Sequence, residues 1–267
     1  MIRKIKTNLF HIFCTSEFKQ ITREDYFKKR LSEIDDFLNR YRNKLDFKEK
    51  TIIDIGFGLG ELCFYMGEKG AEKVVGIEID QEYINYAKNK LENEYKYLSN
   101  IVQFKLPEEV ESERFDIVLS KNCFEHYANP ENFIHTMKKY MKEHSIMIIG
   151  FSPLWKSPYG GHIGYLTKLP WAHLIFSEEI IREELKRLLG SEANVDNYGQ
   201  GIHGLNKMTY KRFKNIIMSS GLKIEFLEIN RFTKKHHEVI GIILNFLRRI
   251  PFLEEYFTIN VYCILTN

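Results

Sequence analysis

Between Thr51 and Phe151, five short apolar runs alternate with helical stretches, and this alternation constrains the fold more than any other feature. The runs are Thr51–Ile55, Val74–Ile79, Ile101–Leu106, Phe115–Ser120 and Ser145–Phe151. They read as continuous apolar segments rich in β-branched residues, the pattern of strands buried on both faces. Helical stretches fall between them over Glu61–Lys69, Gln81–Tyr97 and Pro130–Lys142. Gly70 is placed to stop the first and Pro130 to open the last. Strands alternating with helices predict βαβ units and a parallel sheet. A helix over Thr209–Ser220, a strand over Leu222–Ile229, a helical segment over 236–256 and a final strand over Thr258–Leu265 complete the pattern. The expected fold is α/β, a doubly wound and mainly parallel sheet of seven strands with helices on both faces.

Four regions are expected. Residues 1–50 form an N-terminal helical segment, in which Ile21–Leu45 carries Tyr26, Phe27, Leu31, Ile34, Phe37, Leu38 and Tyr41 at helical spacing. This stripe suits either a packing helix or a lid. Residues 51–151 form a ligand-binding core, 152–207 an insertion after the fifth strand, and 208–267 the completion of the core. The insertion is too long for a plain connection, which marks it as functional.

The most informative run is Asp54-Ile-Gly56-Phe-Gly58-Leu-Gly60-Glu61. A glycine-rich turn between a strand and a helix lets backbone approach a ligand closely. A dinucleotide site is disfavoured, because Glu61 would set a carboxylate beside the pyrophosphate at the helix N-terminus. The second strand ends at Glu78, 24 residues after Asp54, where a carboxylate can bind both hydroxyls of a ribose. Asp80 is the alternative.

This run resembles motif I of the class I S-adenosylmethionine-dependent methyltransferases: an acidic residue, a spacer, then three alternating glycines. Val74–Asp80 resembles the ribose-binding strand that follows. Phe115–Tyr127, FDIVLSKNCFEHY, resembles the fourth strand and the Glu-His turn of the subgroup acting on small molecules. The resemblance covers roughly residues 50–150. It implies a Rossmann-like core that binds S-adenosyl-L-methionine and releases S-adenosyl-L-homocysteine. Asp54 would hold the ligand loop, of which Gly60 is also part, Gly56 and Gly58 would pass under the methionine part, and Glu78 would take the ribose. Ile79, Leu106, Ser120 and Asn122 complete the expected cofactor set. The family often carries an acidic residue after the third strand. Here Phe104-Lys-Leu-Pro107 stands in its place, so the adenine contact would fall to the Leu106 backbone.

The insertion brings Trp155, Tyr159 and Tyr165 together with Trp171, His162 and His173. Loops after the strand ends form the ligand crevice of such a sheet, so the first three are expected to line an acceptor pocket. Methyl transfer depends mainly on alignment, but a hydroxyl acceptor gains from a base of near-neutral pKa. His162 after the fifth strand and His126 after the fourth are the candidate bases, with a structural role open for both. A histidine base would lose activity below about pH 6.5. The reading is a methyltransferase for a small polar acceptor, with a hydroxyl of a sugar or sugar nucleotide in surface-polysaccharide or secondary-metabolite synthesis preferred. Nitrogen or carboxyl acceptors, and a non-catalytic binding protein, are the alternatives.

Lys plus Arg is 39 and Asp plus Glu 36, a balance that does not mark a nucleic-acid binder. No Asn/Asp-Pro-Pro-Tyr/Phe element of base-methylating enzymes occurs. Cys14, Cys63, Cys123 and Cys263 are far apart in sequence, which suggests neither a disulfide scaffold nor a metal pair. His126, His162, His173 and His203 lack ligand spacing, and no metal is expected. No apolar run approaches the ~20 residues of a membrane span. Arg3, Lys4 and Lys6 before Leu9, Phe10, Ile12 and Phe13 could touch an anionic membrane, but a capping arm on the fold is the preferred reading. A cytoplasmic monomer or homodimer is expected.

Overall fold

A computed structural model describes residues 2–15, 21–110, 112–190, 204–233 and 235–267. His203, weighed above as a metal ligand, lies outside these residues. Helices α1 (Ile2–Ile12), α2 (Arg23–Ser32) and α3 (Ile34–Asn39) precede the sheet. The alternating part then runs β1 (Thr51–Ile55), α4 (Glu61–Glu68), β2 (Lys73–Ile77), α5 (Gln81–Asn93), β3 (Val102–Lys105), β4 (Phe115–Lys121), α6 (Pro130–Lys139) and β5 (Met141–Phe151). After the insertion, with α7 (Ala172–Ile175) and α8 (Glu178–Leu189), come α9 (Tyr210–Ser220), β6 (Lys223–Ile229), α10 (Lys235–Leu247) and β7 (Val261–Thr266).

The seven strands form one sheet in the order β3-β2-β1-β4-β5-β7-β6. The first five are parallel, and β7 runs antiparallel between β5 and β6. Alternate residues of each strand face opposite sides. Ile53, Val75 and Ile149 join Phe133 and Met137 of α6 and Phe213 and Ile217 of α9 in one core. Ile52, Val74 and Ile148 join Phe27, Ile34, Phe37, Phe64 and Ala87 on the other face. Helices therefore cover both faces, as the continuous apolar strands require. The strand order reverses between β1 and β4, and the crevice beyond the strand ends there is where such sheets bind ligands.

Four segments depart furthest from the sequence reading, and several other boundaries move by one to three residues. Ile21–Leu45 is not one helix: it breaks at Glu33, and the stripe passes from α2 to α3. The helix from Gln81 stops at Asn93, and a separate 3-10 turn covers Lys96–Leu98. β5 starts at Met141, four residues early, and a register irregularity between Phe115–Met141 and Ile117–Ile146 takes up the polar Lys142–Ser145. The segment 236–256 is helical only as far as Leu247, because Pro251 disfavours helix at the residue before it.

The basic N-terminal segment is a packed helix. Phe10 of α1 is fully buried against Phe176, with ring centroids 4.6 Å apart, and joins Ile180, Ile181 and Leu185 in a third, smaller core. His11 meets Glu184 at 2.9 Å, and Arg3 reaches Glu183. No helix among the described residues is long and apolar enough to cross a membrane.

Candidate active site

A cleft of about 660 Å³ opens at the C-terminal ends of β1, β2 and β4. Its floor is the glycine loop. Gly56 has φ +75°, and a Cβ there would lie 2.2 Å from the Cys123 Sγ, so only glycine fits beneath the loop after β4. Gly58 also has a positive φ, +62°, but a Cβ there would meet nothing within 4 Å. This open backbone is what lets a ligand lie against it. Gly60 caps α4 in the left-handed region and stands outside the cleft wall.

Two carboxylates flank the loop. Glu78 lies just past β2, where one oxygen accepts from the Ile79 N–H at 2.8 Å and the other from the Gly58 N–H at 3.3 Å. It is thus fixed at the cleft wall beside the loop. Asp80 is spent as the N-cap of α5, accepting from the Glu82 N–H. Asp54 is buried at the end of β1, and its Oδ1 has no hydrogen-bond partner. Burial and the nearby Glu61 carboxylate push Asp54 up to about 7, while Lys121 opposes them. A buried acid with an unpartnered oxygen is able to receive a cationic group.

Glu61, in the first turn of α4, does not point at a phosphate site. It is buried and paired with Arg30 of α2 at 3.1 Å and Lys121 at the end of β4 at 3.4 Å. One half-buried and one buried cation thus share one carboxylate at the cleft wall. Neither Arg30 nor Lys121 was marked by the sequence, where they read as ordinary solvated charges.

The loop after β4 supplies the opposite wall. Asn122 adopts φ +50° and donates its N–H to Gly150 O at 2.7 Å, which anchors the turn to β5. Glu125 follows, with a buried carboxyl that no other residue hydrogen-bonds at either oxygen. Burial raises it to about 8, so it holds a proton at neutral pH. His126 Nδ1 lies 2.9 Å from Gly204 O. A carbonyl only accepts, so Nδ1 carries the hydrogen, and in the neutral ring Nε2 is the basic nitrogen. His162 packs edge-on to it, with ring centroids 5.5 Å apart. Its Nε2 faces Pro153 O at 3.4 Å. Burial, then the neighbouring His126, lowers His162 to about 4. A loss of activity near pH 6.5, expected of a His162 base, does not follow from this ring, which burial holds neutral down to about pH 4.

The structure brings Asp54, Gly56, Gly58, Glu78, Ile79, Asn122, His126 and His162 to one cleft. Leu106, Ser120, Trp155, Tyr159 and Tyr165 do not line it. The backbone contact expected of Leu106 is corrected: its N–H donates to Glu109 Oε2 and its carbonyl accepts from the Glu109 N–H, so both groups are occupied. Pro107 lines the cleft instead. Ser120 is buried inside β4. Trp155 packs on His173 with centroids 4.8 Å apart, and Lys207 covers its ring at 5.2 Å. Tyr159 and Tyr165 are both 47% exposed. The aromatic walls of the cleft come instead from Tyr26, Phe57, Tyr83 and Tyr127.

A seven-stranded sheet of this order, with a glycine loop held between Asp54 and Glu78, defines the class I S-adenosylmethionine-dependent methyltransferases, and the chain belongs to that family. The model of a methyltransferase domain matches residues 46–157. A ubiquinone biosynthesis O-methyltransferase from Bartonella tribocorum is 30% identical over 173 residues, covering 61% of this chain and 68% of that protein. A histone-arginine methyltransferase from Drosophila virilis is 26% identical over 180 residues, or 60% of this chain. The chain spans about a third of that relative's length. Among solved structures, an S-adenosylmethionine dependent methyltransferase from Mesorhizobium loti overlays with a TM-score of 0.55 at 13% identity, over 89% of this chain and all of that one. That likeness shows the shared fold.

Proposed function

We propose that the chain transfers a methyl group from S-adenosylmethionine to a small polar acceptor, at oxygen. The observation that carries the reading is the orphan Asp54 Oδ1 beside a glycine backbone open to the cleft, with Glu78 fixed at the same wall. These groups fit an adenosyl amino acid. Asp54 would receive the ammonium, Arg30 and Lys121 the carboxylate, and Glu78 the ribose hydroxyls. When bound, S-adenosylmethionine supplies an electrophilic methyl group, and S-adenosylhomocysteine remains after transfer.

The chain's own contribution is alignment and proton removal. His126 and His162 line the cleft from the loops after β4 and β5, where an acceptor would approach. His126 is the better oriented candidate, since its Nδ1–H donates to Gly204 O. His162, held neutral, would orient the acceptor or take its proton. The oxygen preference draws support from the Bartonella O-methyltransferase. A sugar or sugar nucleotide of a surface-polysaccharide or secondary-metabolite pathway is the preferred acceptor, in a cytoplasmic setting. Glu125 favours a second reading: a buried carboxyl that no other residue hydrogen-bonds also suits an amine or guanidine, as named for the arginine methyltransferase relatives.

Binding tests the class. S-adenosylhomocysteine should raise the melting temperature and NAD should not, and the reverse would refute the proposal. His126→Ala and His162→Ala should each lower turnover, by about 100–10,000-fold for whichever is the base, with adenosyl-ligand affinity kept. Full turnover in both variants would exclude a histidine base and favour an amine or a carboxylate over a hydroxyl as the acceptor.

A further inference from the structure

Beside the main cleft lies a second cavity of about 280 Å³. Arg30, Lys121, Asn122 and Ser152 line both, so the two spaces adjoin at the ends of β4 and β5. Phe37, Arg40 and Phe232 line only the smaller one.

Arg40 is the unusual member. It lies just past α3, and its guanidinium stacks over the Tyr262 ring at 5.0 Å. One nitrogen, Nη1, donates to the Tyr262 hydroxyl. Tyr262 is buried in β7, so this contact fixes the guanidinium in place. Arg40 Nε is buried without a hydrogen-bond partner. Among the described residues no carboxylate forms an ion pair with Arg40, although Glu33 and Asp36 line the same cavity. The two neighbouring cations, Arg30 and Lys121, already share the single Glu61 carboxylate. The cavity therefore holds a positioned guanidinium with an unmet donor and no ion pair of its own, and Phe37 and Phe232 line the same space, with Glu33 and Asp36 as its carboxylates. A buried donor without a partner is costly, and a planar guanidinium meets an anion with paired, charge-assisted hydrogen bonds.

We infer that this side cavity is the acceptor's anion subsite: the acceptor carries a carboxylate or phosphate that docks on Arg40 beside Phe37 and Phe232. The inference rests on the methyltransferase reading and narrows its substrate class to anionic small molecules. The anion would sit past Asn122 and Ser152, leaving the rest of the acceptor to enter the main cleft beside Glu125, His126 and His162. Arg30 and Lys121 stay with the adenosyl ligand, so Arg40 discriminates between acceptors without competing for the methyl donor.

Calorimetry on the full chain tests this with two probes, phenyl phosphate and benzoate, each titrated with and without saturating S-adenosylhomocysteine. A separate titration of S-adenosylhomocysteine reports on the methyltransferase reading alone. At least one probe should bind in the presence of the nucleoside, and the stronger of the two tells phosphate from carboxylate. Arg40→Gln should weaken that probe about tenfold or more, and Arg40→Lys should restore part of the loss. Thr233→Glu, which leaves Arg40 and its Tyr262 contact intact but adds a negative charge to the cavity, should weaken it similarly. S-adenosylhomocysteine affinity should be unchanged in all three variants. The inference is overturned if neither probe binds at about 10 mM, a weak-affinity limit. It is equally overturned if Arg40→Gln and Thr233→Glu bind as well as the parent, or if S-adenosylhomocysteine displaces the probe, which would place the anion at Arg30 and Lys121 instead.

Discussion

Asp54 and Glu125 are both carboxyls raised by burial at a cleft wall, yet they make different predictions because different partners await them. At pH 6 the ligand-free Asp54 holds a proton for much of the time. An ammonium beside it favours the carboxylate, so binding of S-adenosylhomocysteine should release up to one proton. Affinity should rise from about pH 5 to pH 7 and level off above. Calorimetry in two buffers of different ionisation enthalpy measures the release, and Asp54→Asn should abolish it and bind more weakly. No proton release in the parent chain would separate Asp54 from the ammonium. Glu125 bears on stability. Its folded pKa, about 8, exceeds the ordinary glutamate value of about 4.3. Its contribution is therefore fully present below pH 4 and is lost as pH rises through 8, because the unfolded chain gives up the proton first. His162 acts in the opposite sense: its contribution is present above about 6.5 and is lost as pH falls towards 4. Comparing Glu125→Gln with the parent cancels the His162 effect. The variant should melt higher than the parent at pH 8.5 and equally at pH 4, and equal melting at both would mean that Glu125 is solvated.

The elements that sequence reading located well are those buried on both faces. β1 was found to the residue, and β4 to within one, because contiguous apolar runs have a single reading. The break at Glu33 was invisible, since Phe27, Ile34 and Phe37 stay in phase across it and pack on the same sheet face. The same segment hid the most consequential charges. Arg30 and Arg40 look like the solvated side of an amphipathic helix until β4 and β7 arrive, 90 and more than 200 residues later, with Lys121 and Tyr262. Asp54 and Glu78 were legible because their spacing from the glycines is local. The aromatic cluster of the insertion was legible as a cluster, but that its Trp and Tyr rings lie outside the cleft depended on packing against α7 and residues 207–208. The pairing of α1 with α8 can be tested alone. The small core built on Phe10 shares no residue with the two cores of the sheet. Phe10→Ala should cost about 3–5 kcal/mol locally. Hydrogen exchange in α8 should quicken while the main melting transition moves little, and a matching fall in both would make the insertion part of one cooperative unit.

On the scale of the whole molecule, β7 lies between β5 and β6, pairing with Ile146–Phe151 on one side and Lys223–Ile229 on the other. Its side chains Val261, Cys263 and Leu265 belong to one core, and Tyr262 and Ile264 to the other. Deleting residues 261–267 would uncover both faces and two strand edges together, and the truncated chain should be insoluble or lack a cooperative transition in calorimetry. A folded, soluble product would show that β5 and β6 close directly on one another. The position of β7 also sets an order of events during synthesis. While residues up to 260 leave the ribosome, β1 to β5 can pair with neighbours already made, but β6 has no partner and must wait beside an open slot. The half of the sheet that cradles the nucleoside can therefore assemble first, and the strand that holds Arg40 in place arrives last, so the methyl donor's site can form before the proposed acceptor subsite does.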